Sequence, residues 1–174
     1  VEADELLMNY SEKGRKFKNK EEYRKAKNKK HPKVAVLVVT DREGNLLFKQ
    51  VGEKKVKNEQ LREELKSRLS ENNLICVKPK KEFRKGIKGL QSKKVIVNKR
   101  QLKRGIYSVK IVENKISDFK TWLSRFHGVA TKYLQSYLIW FVIMNKYLKE
   151  LIDSDIGRLL NLSSHDRWAW DKYR

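Results

Sequence analysis

The chain has 174 residues, with 42 Lys and Arg against 21 Asp and Glu, a formal charge of +21. Its hydrophobic content of 39% excludes a disordered polymer, and its single cysteine excludes a disulfide framework or a cysteine-rich zinc site. The apolar run at 137–143 is too short to span a bilayer and is not a secretion signal. What remains is one domain with a real core, a reducing cytoplasmic setting, and nucleic acid as the leading partner class; a membrane surface comes second and is not expected, because no basic amphipathic helix stands apart from the core.

Residues 1–8, VEADELLM, read as a strand that carries Glu2 and Asp4 on one face. Residues 11–32 form a basic arm inserted after that strand, partly helical from Glu21. Its cations include Lys13, Arg15, Lys16, Lys25, Lys27, Lys29 and Lys30. Two readings of the arm stay open, a solvated charge run and a phosphate-binding element.

VAVLVVT at 34–40 is a β-branched run of the kind buried on both faces of a sheet. DREGN makes a turn, and 46–51 returns as the partner strand. Asn58 is expected to cap a helix running to Leu69, with Leu61, Leu65 and Leu69 on one face. LICV at 74–77 is a strand closed by Pro79. A short helix at 80–87 should end at Gly86 or Gly89, and a further strand follows at 95–97. Residues 101–105 read as a basic connection and 106–111 as an extended piece. From 117 to 144 the apolar residues fall at helical spacing, giving two core helices joined at 127–131. The final stretch carries Trp168, Trp170 and Tyr173 among charges. Those aromatics either dock on the core or form a partner-binding tail. The histidines are scattered without metal-ligand spacing, Cys76 reads as an inert core thiol, and Asp41 as turn chemistry.

The order RFHGVATKYLQSYLIWF is more specific than a helical pattern requires. It resembles the C-terminal signature of the ISXO-like group of bacterial insertion-sequence transposases, which are DDE-type enzymes with a ribonuclease H-like fold. The resemblance runs from 1 to 147, through VEADE and the TDREGN turn. It implies an α/β fold, a ribonuclease H-like mixed sheet flanked by helices, in a domain spanning 1–150. A C-terminal helical extension would occupy 151–174. The family's zinc-binding and helix-turn-helix parts would lie before Val1, so the chain reads as a piece of a longer protein or complex. The resemblance also implies dimers or larger assemblies.

Two-metal phosphodiester chemistry needs converging carboxylates. The resemblance makes Asp4 the first metal ligand and Glu113, in VENKISDFKTWL, the third. The family's second Asp closes a strand of the form L-C-T-D, and here Leu74-Ile-Cys-Val is followed by Lys78. The family's histidine positions fall on Ser108 and Ile116. Lys78 either enters the carboxylate pocket or points to solvent with the match off by one residue. An ammonium ~4 Å from a carboxylate is worth ~4 kcal/mol at an effective dielectric of about 20. The first expectation is therefore a degenerate, catalytically inactive transposase domain that needs no cofactor and binds DNA by its phosphates at the bacterial nucleoid. The cations for this are those of the arm together with Lys80, Lys81, Arg84, Lys93, Lys94, Lys99, Arg100 and Arg104. The alternatives are an active Mg²⁺-dependent enzyme using Asp4 and Glu113, and a protein- or RNA-binding scaffold.

Overall fold

The apolar run at Val34–Thr40 sets the architecture. In the computed structural model, which describes residues 1–28, 31–98 and 100–153 (side chains at 27 and 147–153 excepted), Val34–Thr40 forms strand β2, buried at every position. Only a central strand covered on both faces has that pattern. Around it the chain runs in the order β1 (Glu2–Met8), α1 (Lys20–Asn28), β2, β3 (Leu46–Glu53), α2 (Asn58–Lys66), β4 (Leu74–Val77), α3 (Lys81–Ile87) and β5 (Lys93–Ile96). A hairpin of β6 (Lys103–Arg104) and β7 (Tyr107–Ser108) leads into α4 (Lys110–Ser124), and a short 3-10 turn at Thr131–Tyr133 leads into α5 (Leu134–Asp153).

The main sheet has five strands in the order β3-β2-β1-β4-β5. β1, β2 and β3 pair antiparallel, whereas β4 runs parallel to both β1 and β5. One face packs Leu6, Val36, Val38, Phe48 and Cys76 against Val112, Phe119 and Leu123 of α4 and Leu138 and Phe141 of α5. The other packs Ala3, Leu37, Val39, Ile75 and Val77 against Leu61 and Leu65 of α2 and Phe83 and Ile87 of α3. Alternate residues of each strand therefore serve opposite helix layers. The arm follows β1 as expected and contains α1, as the Glu21 start implies.

Several boundaries differ from expectation. Lys57, not Asn58, is the residue before α2; its N–H donates to Gln60 Oε1 at 3.1 Å, which satisfies the helix start from within the first turn. Of the two stops expected for α3, Gly86 lies inside the helix, which ends at Ile87 ahead of Gly89. The stretch expected as a connection and an extended piece is a hairpin, and α4 begins at Lys110, seven residues ahead of Ser117. The buried series Val109, Val112, Ile116, Phe119 and Leu123 carries the helical stripe back to that point. α5 runs from Leu134 to Asp153. The aromatic tail of Trp168, Trp170 and Tyr173 lies outside the described residues. No helix among the described residues is long and apolar enough to cross a membrane.

Gly86 shows how tightly α2 and α3 meet. A Cβ there would lie 2.6 Å from Leu61 Cδ2 and 3.1 Å from the Asn58 carbonyl oxygen. Gly86→Ala should therefore destabilise by ~1–3 kcal/mol through overpacking. In a helix with free space the same change would stabilise by ~1 kcal/mol. Urea unfolding decides between the two signs, and a stabilised variant would contradict the packing described.

Candidate active site

The parallel pairing of β1 with β4 aligns Ala3 with Val77, so Asp4 and Lys78 stand side by side at the next position. Strand parity puts Lys78 on the same face as Cys76, the face that carries Asp4 and meets α4. Pro79 holds the preceding residue extended, so that parity persists beyond the last paired position. The first turn of α4 then brings Glu113 over the pair.

Lys78 Nζ lies 2.6 Å from Asp4 Oδ2 and 2.5 Å from Glu113 Oε1. Lys80, the residue before α3, reaches back to the other side of the same carboxylate. Its Nζ is 3.1 Å from Asp4 Oδ1 and 3.0 Å from Glu5 Oε1. The Asp4 side chain is only 4% exposed, against 20% for Lys78 and 30% for Glu113. Burial by itself would lower the pKa of Lys78, but its hydrogen bonds to Asp4 and Glu113 outweigh that, and the net shift is upward. The amine is therefore a cation at neutral pH. Three carboxylates and two ammonium groups leave the cluster one negative charge, and it lines an open cleft of about 460 Å³ with Ser117 and Lys120 at its edge. Among the described residues no three His, Cys, Asp or Glu side chains are grouped to hold a metal ion.

Two acids beside Asp4 have structural duties that strand parity alone did not reveal. Glu2, 5% exposed, accepts a hydrogen bond at Oε2 from the Val112 N–H at 3.0 Å. It thus caps α4, whose preceding residue Val109 offers no side-chain cap. Glu5 points to the opposite layer and accepts from the Val56 N–H at 3.0 Å. The sequence signal for both is the E-x-D-E string itself, acids on both parities of a buried strand.

The cations expected to hold nucleic acid fall into three groups. Lys13 is engaged: its Nζ donates to the carbonyls of Phe126 at 2.8 Å, His127 at 3.3 Å and Gly128 at 2.8 Å. It closes the chain end that follows α4, where His127 has φ +50° and Gly128 φ +94°. Arg15 pairs with Glu12 and Glu22, Lys25 with Glu21, and Lys80 joins the acid cluster. Lys16, Lys81, Arg84, Lys93, Lys94, Arg100 and Arg104 are exposed, with no carboxylate within 4.0 Å among the described residues. The Lys27 side chain, Lys29, Lys30 and Lys99 lie outside the described residues. Asp41 is a turn residue as read, accepting from the N–H groups of Glu43 and Asn45 at 2.9 Å each.

A five-stranded mixed sheet in this order, with helices on both faces and an acidic first strand at its centre, defines a ribonuclease H-like domain. The model of the ISXO2-like transposase domain family matches residues 1–142, and the chain belongs to that family. No curated protein and no solved structure matches it. Membership makes the domain transposase-like, of the DDE type, with DNA as the implied partner.

Burial raises the pKa of Glu2 above its ordinary 4.5, against the lowering effect of the Val112 and Ile111 N–H groups. The folded state thus binds the Glu2 proton more tightly than the unfolded chain. Stability from this group is present below pH 4.5 and lost as pH rises through the folded value. Glu2→Gln keeps an acceptor for α4 without the buried charge. In urea titrations from pH 4 to 8 it should hold or gain stability relative to the parent as pH rises, while Glu2→Ala loses ~1–2 kcal/mol as a lost cap. A Gln variant as unstable as the Ala variant across that range would contradict this role.

Proposed function

We propose that this domain binds DNA through backbone phosphates and does not cut it, because Lys78 stands where the ISXO2-like pattern has its second metal-ligand Asp. The observation that carries the reading is the Lys78 amine between Asp4 and Glu113, at 2.6 and 2.5 Å. A Mg²⁺ ion at that point would have to displace an ammonium from Asp4 and Glu113 together, and Lys80 from the other Asp4 oxygen. Mg²⁺ also demands near-octahedral oxygen ligands and gives up its waters reluctantly. The charge that neutralises these carboxylates is covalently attached to the fold and needs no ion from solution. The side chains present do not fit a two-metal centre.

The same fold carries exposed cations on α3, β5 and the β6–β7 hairpin that have no carboxylate within 4.0 Å among the described residues. They reach phosphates without reading bases, so binding should tolerate sequence and fall steeply with salt. DNA binding of this kind puts the protein at the bacterial nucleoid. RNA offers the same phosphates and is the competing polyanion.

One observation favours an active enzyme as the second reading. Asp4 and Glu113 already converge on a single point, so a Lys78 side chain turned outward would leave two carboxylates facing one another across an open cleft.

A nicking assay on supercoiled DNA with Mg²⁺ or Mn²⁺ separates the two. No cleavage above the Asp4→Ala background is expected; cleavage that disappears in Asp4→Ala establishes the second reading. Calorimetric Mn²⁺ titration should show no site in the parent and a gained site in Lys78→Asp, and an unchanged titration in that variant would remove the support for a vestigial pocket.

DNA affinity measured across a salt series should fall with a log–log slope of about −0.9 per phosphate contacted, at similar values for unrelated duplexes. A shallow slope, or no binding at moderate salt, would rule out phosphate contacts as the basis of recognition.

A further inference from the structure

We infer that the β6–β7 hairpin is a wedge for duplex DNA, with Ile106 pressing between neighbouring base pairs while Arg100, Lys103 and Arg104 hold the flanking phosphates. This rests on the DNA-binding reading above and adds a contact to the bases.

Ile106 is 82% exposed, against 40–53% for the other exposed large hydrophobics. A lone exposed isoleucine is ordinary on a protein surface. Its placement here is not. Arg104 pairs with Tyr107, so Gly105 and Ile106 form a two-residue turn, and Gly105 has φ +59°. That is the backbone of a stiff hairpin turn with glycine first, which leaves the second residue at the tip. A Cβ on Gly105 would meet nothing within 4 Å, so the first turn residue stands clear, while Ile106 forms one edge of an open hollow with Val1, Arg42 and Asn72.

The base of the hairpin is fixed. Leu102 and Tyr107 pack against the core, the Asn98 N–H donates to the Lys103 carbonyl at 3.0 Å, and the Val109 N–H to the Leu102 carbonyl at 3.1 Å. An apolar tip on an anchored two-strand stem is a shape that can be pushed into a base step without collapsing.

Charge selects the partner. Lys103 and Arg104 on the stem, and Arg100 and Lys110 flanking its base in the chain, are all exposed, with no carboxylate within 4.0 Å among the described residues. An apolar protein pocket would have to accept these cations with the isoleucine. A duplex supplies phosphates for the cations and stacked apolar faces for the side chain. Proteins that kink DNA from the minor groove use isoleucine and similar side chains in this way. Ile106 and Tyr107 line a hollow with Val1, Arg42, Asn72 and Leu74, at the end of β4 opposite Lys78, so the wedge is separate from the acid-lysine cleft.

The test uses the full chain and duplexes carrying 2-aminopurine at successive positions, with end-labelled duplexes reporting bend. Saturating protein should raise the 2-aminopurine fluorescence and shorten the end-to-end distance. Ile106→Ala and Ile106→Asn should lose both signals while duplex affinity changes less than about ten-fold. Arg104→Ala should keep both at saturation and lower the salt slope by about one. Binding by the parent without a fluorescence rise, or a rise that survives Ile106→Ala, overturns the wedge and leaves phosphate binding intact. No duplex binding by the parent overturns both.

Discussion

The Asp4 carboxylate, almost fully buried, is held between two amines, Lys78 at one oxygen and Lys80 at the other. A carboxylate removed from water needs partners on both sides, and its isolated ionised form would be costly by several kcal/mol. The partners come from different parts of the chain. Lys78 closes β4, Lys80 opens α3, and Glu113 belongs to the first turn of α4. The arrangement thus joins the central strand to its parallel neighbour and to a helix on each face of the sheet. Glu2, two residues away on the same strand, caps α4 and fixes the turn that presents Glu113.

The positive charge of the chain divides into two populations with different physical roles. Lys13, Arg15, Lys78 and Lys80 are engaged by carbonyls or carboxylates of the protein and contribute to holding the fold together. Lys13 ties the arm to the end of α4, and Ser11 adds to that clasp through its N–H to Thr131 Oγ1 at 2.9 Å. The arm is therefore attached at its root rather than a free polycation. The second population is exposed on α3, β5 and the hairpin. It is the part of the +21 that a polyanion can use.

Much of the fold could be read from the residues because the strands and helices differ in period. VAVLVVT is apolar at every position but its last, Thr40, and reads as a doubly covered strand, and the apolar stripe around Phe119 and Leu123 reads as a helix. The HGVATKYLQSYLIWF block named the family. Reading failed where short elements depend on partners distant in sequence. The β6–β7 hairpin is held by the contacts of Leu102 and Tyr107 with the core, which local propensity does not encode. Gly86 read as a stop because glycine usually is one, yet here it allows α2 and α3 to approach. In the site, Asp4, Lys78 and Glu113 were identified by position in a pattern, and strand parity brings them together. Lys80 was expected at the surface; its turn back to Asp4 depends on the chain reversing after Pro79, where its N–H donates to the Lys78 carbonyl at 2.8 Å. Lys13 was read as a cation of the arm; its carbonyl contacts could not be read because the acceptors lie more than a hundred residues away.

In the proposed reading, tethered amines occupy the place of divalent metal. Anomalous diffraction from crystals grown with Mn²⁺ tests it most directly, since manganese is located by its own scattering. The account predicts no anomalous peak between Asp4 and Glu113, with the Lys78 amine bridging them. Manganese bound to both carboxylates, with Lys78 turned outward away from them, would contradict it.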